Sequence, residues 1–466
     1  MLYRYHQACY ASTSKCVLAL LMLVLCAGRI DASADLPSLG ENSALNIERE
    51  TRLGRSVYDR LMSAGLVETN PLVDRYINDL GYRLLAGIEN RTREYRFFIV
   101  REDSVNAFAL PGGFIGVNRG LISYAQTQHQ LASVMAHEIA HVELAHGMEM
   151  MEKGKEISTA AVLSMVTGIL LGTVNPQAGS AVMFGGVAGA QQAMVNYTRE
   201  NEYEADRVGI ELMADANFDT NGMVEFFTIL TKLSGSSEIG DIEFLRTHPL
   251  NSTRVAEAMA RVRNHPGSGD QVDDYALFKD YLQYVSSDHL PQQGDAYLRA
   301  LAMMQSGDYL LADPLLEALY RGDDENIWYS VAYAANLENL RRDADAEKVY
   351  RHLLAIFPGD YVLSMRLLSL LNSEGRPEEA LQIARRLEID YPQRQQVYFA
   401  LSEIYQALNR PVPKMMAEAE FQQLTGNTDQ SIRLYDQVLA TEGADPIVLS
   451  IAREKRLQLL EQEKNR

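Results

Sequence analysis

Beyond residue 26 the chain contains no cysteine. Cys9, Cys16 and Cys26 all lie in its first segment. A disulfide framework and a cysteine-based zinc site in the body of the protein are thereby excluded. A basic tract is also missing. Lys and Arg number 43 against 62 Asp and Glu, a net charge of −19. So acidic a chain is a poor ligand for phosphate backbones, and no nucleic-acid partner is expected. Nor is there an apolar run that spans a bilayer comfortably. The run Cys16 to Gly28 has only the length of a secretory core. What remains is an ordinary globular composition, 47% apolar and 23% charged over 466 residues. That length suits about two to four domains.

Arg4 and Lys15 precede the apolar run, and Ala32-Ser33-Ala34 follows it. Basic start, short apolar core and small–x–small site together predict an export signal over residues 1–34, cleaved after Ala34. Leu25 is bulky where a lipid-attachment site before Cys26 needs a small residue. For a bacterial source, export points to the periplasm.

Leu53, Val57 and Leu61, then Leu72, Tyr76, Leu80 and Leu84, predict helices over 43–65 and 70–88. The run Arg96 to Val100 reads as a strand. Asn106 to Leu110, Pro111-Gly112-Gly113 and Phe114 to Val117 read as a hairpin. A long helix is expected over 127–150. Residues 155–195 are rich in small residues, with Phe184-Gly185-Gly186 as a natural hinge. They suit small-residue helices and a loop over the cleft, with a membrane contact as the alternative. Helices follow over 196–216 and 220–234. His265-Pro266-Gly267-Ser268-Gly269-Asp270 is the strongest linker signal. Further on, Ala312, Ala346 and Ala380 recur at 34 residues, as do Pro358 and Pro392. Gly307 and Gly375 each stand five residues before one of the alanines, and Ser431, with Gly426 five before it, marks a shifted unit. This is the tetratricopeptide period, whose stacked helix pairs leave a concave face for peptides or proteins. The expected organisation is a signal over 1–34, a catalytic domain over 35–264, a linker over 265–290 and repeats over 291–466.

His137-Glu138-Ile139-Ala140-His141 is the informative segment. Positions i and i+4 leave one face of a helix, so both imidazoles can reach one ion. Glu138 lies beside that face, where a carboxylate reaches a bound water; this is the H-E-x-x-H arrangement of zinc hydrolases. A catalytic zinc needs a third protein ligand and an open position. Gly147 and Leu144 stand where a metzincin needs His and Gly. His146 points about 140° away from His141 on a continued helix, so it is not expected to be a ligand. The third ligand must come from another helix, and Thr198 to Asp206 is the best source. Glu202 and Asp206 share a face there; one can ligate, and the other can accept the N–H of a ligand histidine. Spacing alone leaves Glu200 and Glu204 open. His248, in Arg246-Thr247-His248-Pro249, reads either as a loop histidine capping a helix or as a group near the metal.

The pair His137 and His141 followed by Arg199, Glu202 and Asp206 in the pattern R-x-x-E-x-x-x-D resembles the HtpX-type gluzincin metallopeptidases. So does Asn106 to Leu121, NAFALPGGFIGVNRGL. An exported form with tetratricopeptide repeats is similar to the periplasmic β-barrel assembly-enhancing protease family, from about residue 45 to the end. The resemblance implies an α+β zincin-like metallopeptidase domain, mostly helical with a small β-sheet, followed by an all-α tetratricopeptide-repeat domain. It implies one zinc ion per chain on His137, His141 and Glu202, with Glu138 as base. Asp206 would orient a ligand or donate a proton. His248 would be a fourth ligand or a regulatory group, stabilising the oxyanion or holding the enzyme latent. The implied activity is proteolysis of unfolded or misassembled envelope proteins, with some chaperone-like help to their assembly. The repeats would recruit an outer-membrane assembly machine or its clients. The alternatives are a repeat-based chaperone or scaffold with a vestigial metal site, and a zinc amidase.

Overall fold

Alternate residues of a strand face opposite ways, and in Arg96–Val100 (β1) both faces are apolar. Phe97 and Ile99 enter one core, Phe98 and Val100 another. In this computed structural model, which describes residues 43–88, 93–146, 188–235, 242–269, 273–291 and 293–464, the two cores sandwich a three-stranded sheet. The export signal read at 1–34 and most of the segment at 157–195 lie outside the described residues.

Helix α1 (Ser43–Ser63) supplies Val57 and Leu61 to one side of the sheet. Helix α2 (Pro71–Leu84) covers the other with Leu72, Ile77, Leu80 and Leu84. Asn70 starts α2 by accepting from the amides of Leu72 and Val73, satisfying donors that the first turn leaves unpaired. The strand order is β1-β3-β2. Phe114–Asn118 (β3) runs parallel to β1, with Arg96 opposite Phe114. Ala107–Leu110 (β2) pairs antiparallel with β3, as the hairpin reading expects, and forms an edge. The turn between them holds Gly112 and Gly113 at φ of +76° and +89°, where a side chain is strained.

Arg119–Tyr124 (α3) leads to Gln128–Glu143 (α4), capped by Thr127 and buried almost throughout. The helix expected to run to 150 therefore stops at Glu143. Ala145 takes a left-handed φ of +53° and ends it without a glycine to signal the stop. Ala188–Asp215 (α5) packs against α4. At their approach Gly209 lies so close that a Cβ would stand 3.2 Å from the His137 amide nitrogen. Asn221–Ser234 (α6), Glu243–Thr247 (α7) and Ser252–Val262 (α8) complete this part.

Within 265–290, read as a linker, residues Tyr275–Ser286 form a helix, α9. Its aromatic face explains the difference. Tyr275 Oη donates to the carbonyls of Ile122 and Ala125, and Phe278 stacks on Tyr76 with centroids 4.0 Å apart. Phe278 and Tyr281 also reach Trp328 of the repeats.

Among the described residues, ten helices then form five pairs. They are Ala296–Gln305 with Tyr309–Gly322 (α10, α11), Ile327–Asn339 with Asp343–Ile356 (α12, α13), and Tyr361–Ser373 with Pro377–Asp390 (α14, α15). Gln395–Ala407 with Pro411–Leu424 (α16, α17) and Thr428–Leu439 with Pro446–Lys464 (α18, α19) follow. Ala312, Ala346 and Ala380 occupy the fourth position of α11, α13 and α15, each fully buried where two helices cross. Ser431 holds the same place in α18. Pro358 and Pro392 stand just past the ends of α13 and α15. The repeat runs deeper than its glycines suggest. Gly307, Arg341, Gly375 and Asn409, at 34-residue spacing, all have φ between +53° and +81°. Arg341 is thus a side chain in a glycine position. Arg341→Gly should raise stability by about 0.5–1 kcal/mol, read as a higher urea midpoint; a lower midpoint would contradict the repeat register.

The repeats are fastened to α2 by crossed ion pairs. Asp74 meets Arg394 at 2.8 Å and Arg75 meets Asp360 at 3.1 Å. Among the described residues no helix is long and apolar enough to cross a membrane.

Candidate metal centre

Helix α4 presents His137 and His141 one turn apart, with their Nε2 atoms 3.0 Å from each other. Helix α5 turns the stripe Glu202, Ala205, Asp206 and Gly209 inward, the i, i+3, i+4, i+7 pattern of a packed face. Glu200 and Glu204 fall off that stripe and are exposed. Glu202 Oε2 lies 3.4 Å from His137 Nε2, and Oε1 3.3 Å from His141 Nε2. His248 stands at the carboxyl end of α7, so the capping position and the metal position coincide. Its amide donates to Phe244 O and its ring stacks on Phe244. This packing holds Nδ1 3.2 Å from His137 Nε2 and 3.0 Å from Glu202 Oε1.

Four ligands held tetrahedrally at zinc distances stand about 3.3 Å apart. Five of the six spacings run from 3.0 to 3.4 Å, with Glu202 Oε2 facing His137 and Oε1 facing His141 and His248, and the four donor atoms all lie within 4.8 Å of one another. His137 donates Nδ1–H to Asp206 Oδ1 at 2.9 Å, so in its neutral form the ring turns a bare Nε2 lone pair toward the other donors. A cation satisfies that convergence, and three imidazoles with one carboxylate are a zinc donor set. His137, His141, Glu202 and His248 form the one group that suits an ion among the described residues. Beside it Glu138, 1% exposed, has an Oε1 with no hydrogen-bond partner, 3.3 Å from His248 Nε2.

The electrostatics favour positive charge in the cage. Burial works against a charged His137, but hydrogen bonds to Asp206 and Glu202 outweigh it and hold the ring up at about 10. At His141 burial prevails, reinforced by the neighbouring His137, and pulls the ring down to about 4. Burial also opposes the Glu202 charge, yet the facing histidines keep its carboxyl well below the usual range.

Two residues that the sequence reading left without a role adjoin the cage. Arg254, 2% exposed, grips Asp206 through Nε and Nη2, both at 2.7 Å, and Glu202 through Nη1 at 2.8 Å. Its signal was its register: Arg254, Ala258 and Val262 form the buried face of α8, a place where an arginine needs partners. His146 folds back past Ala145 and meets His141 on its outer side; it is not among the four donors.

Residues 71–262 match peptidase family M48. Over 427 residues the chain is 31% identical to the beta-barrel assembly-enhancing protease of Escherichia coli K12, covering 87% of each chain. It is 30% identical over 425 residues to a putative beta-barrel assembly-enhancing protease of Vibrio cholerae, covering 86% of this chain and 87% of that one. Similarity also extends to the mitochondrial metalloendopeptidase OMA1 of Schizosaccharomyces pombe, 25% over 215 residues, 45% of this chain and 60% of that one. Cage and relatives together define a zinc metallopeptidase. The chain belongs to peptidase family M48.

Proposed function

We propose that the protein is a periplasmic endopeptidase that removes misassembled or stalled outer-membrane proteins and assists their assembly. The observation that carries the reading is the mutual spacing of the four donors beside the unpartnered Glu138 oxygen. In this reading His137, His141 and Glu202 hold zinc. Zinc held by these residues would supply the acidity of a bound water and the polarisation of the scissile carbonyl. Glu138 takes the proton of the attacking water and passes it to the leaving amine. Asp206 positions His137, since both its oxygens are engaged, by His137 and by Arg254. His248 would be a further ligand that keeps the enzyme latent until a client displaces it. The edge strand β2 offers main-chain groups to an extended substrate. The peptidase part is assigned to 35–264, with 265–290 joining it to the repeats of 291–466. The repeats recruit the outer-membrane assembly machine or its clients, which the names of the Escherichia coli and Vibrio cholerae relatives support.

The test is incubation of the full chain with a urea-unfolded outer-membrane β-barrel, with and without chelator, beside His248→Ala. Cleavage should need the metal and change several-fold in His248→Ala. Unchanged cleavage and unchanged zinc affinity in that variant would remove His248 from the site. Chelator-insensitive cleavage would remove the metal mechanism.

A further inference from the structure

We infer that His146 is a positioning residue for the metal site: its Nδ1 accepts the Nδ1–H of His141 and thereby presents His141 Nε2 as a lone pair. The inference rests on the zinc reading above. The two Nδ1 atoms are 3.0 Å apart and the ring centroids 5.0 Å. The His146 side chain is only 5% exposed.

Proton counting fixes the direction. His141 Nε2 faces the cage, 3.0 Å from His137 Nε2 and 3.3 Å from Glu202 Oε1. With Nε2 given to the metal, the one proton of a neutral imidazole sits on Nδ1 of His141. One of two facing Nδ1 atoms donates and the other accepts; His146 is therefore the acceptor. Its own proton then lies on Nε2, which faces Glu204 Oε2 at 3.6 Å. The two metal histidines thus have different outer partners. His137 leans on a carboxylate clamped by arginine, His141 on a neutral ring.

The backbone builds this contact on purpose-shaped geometry. Leu144 N–H donates to Ala140 O and Ala145 N–H to Val142 O, closing the helix. Ala145, left-handed at φ +53°, then reverses the chain and carries His146 back to His141. A continued helix would aim residue 146 about 140° away. A side chain in the left-handed region is strained, and such strain is characteristic of sites where the surroundings over-determine a conformation.

His146→Ala should lower zinc affinity about 10–100-fold, the usual effect of removing an outer partner of a ligand histidine. Chelator competition on the purified full chain reads it. His146→Asn, whose side-chain carbonyl can accept the same proton, should recover most of the affinity; His146→Phe, which keeps the ring and loses the acceptor, should not. In the zinc-loaded protein, imidazole nitrogen NMR should place the His141 proton on Nδ1 in wild type. Wild-type zinc affinity in both the Ala and Phe variants overturns the role, as does a Phe variant equal to Asn. A wild-type protein that binds no zinc sinks the metallopeptidase reading and takes this inference with it, so the two failures differ.

Discussion

Glu138→Gln should lower kcat/KM for peptide hydrolysis by about 10²–10⁴-fold, the range for loss of a general base, while zinc content and unfolding midpoint stay at wild-type values. The substitution is nearly isosteric. Glu138 is 1% exposed, and its Oε1 makes no hydrogen bond in the folded chain. That oxygen faces His248 Nε2 at 3.3 Å, a contact the amide can keep, and an amide there leaves a neutral group in place of a buried charge. What the amide cannot do is accept a proton. The measurement is cleavage of an unfolded β-barrel protein beside metal analysis and a melting curve of the same preparation. Hydrolysis at the wild-type rate with bound zinc would remove Glu138 from the chemistry. Loss of zinc together with hydrolysis would mean that Glu138 supports the cage instead. The same variant separates peptidase from scaffold in cells. If the repeats do the main work beside a vestigial metal site, Glu138→Gln complements a deletion strain; a peptidase role predicts that it does not.

The cage was only partly legible before folding, and the reasons are local. His137 and His141 are four residues apart, and helical geometry alone puts their rings together. Glu202 sits on a second helix whose rotation the H-E-x-x-H segment does not fix. Its cue was the inward stripe of Ala205, Gly209 and Met213, which Glu202 and Asp206 join and which Glu200 and Glu204 miss. His146 lies outside the four donors, as expected, but its approach to His141 was hidden for want of a glycine. A left-handed alanine ends α4 at a point where the sequence shows a continuous helix pattern. The fold was more readable, because its signals are periodic. The apolar run of β1, the Pro111-Gly112-Gly113 turn and the 34-residue alanines each express one simple local geometry. At Arg341 and Asn409 the backbone keeps the period after the sequence has dropped it. The helix Tyr275–Ser286 carries no repeat, and only its aromatic face marked it as packed.

Arg254→Met should destabilise the protein by about 3–5 kcal/mol, the usual result of removing one partner from a buried charge cluster. Three donors of the guanidinium hold two carboxylates that have almost no water: Nε and Nη2 on Asp206, Nη1 on Glu202, with side-chain exposures of 7% and 2%. Nη1 also reaches the Pro249 carbonyl at 2.8 Å, tying the His248 loop to the same point. Methionine fills much of the volume and leaves both acids without their cation. Zinc can compensate Glu202 but not Asp206, which faces His137 Nδ1 and lies outside the donor set. The loss should therefore be larger in chelated protein than in zinc-loaded protein, and urea midpoints in both states measure the difference. Arg254→Lys restores charge without the planar fork and should recover less than half. Removing Asp206 along with Arg254, as Arg254→Met with Asp206→Leu, should cost less than the two single losses added together, because the Asp206 charge is then no longer stranded. Additive losses in that cycle, or a wild-type midpoint in Arg254→Met, would show that Arg254 is not what holds Asp206 and Glu202 beneath the histidines.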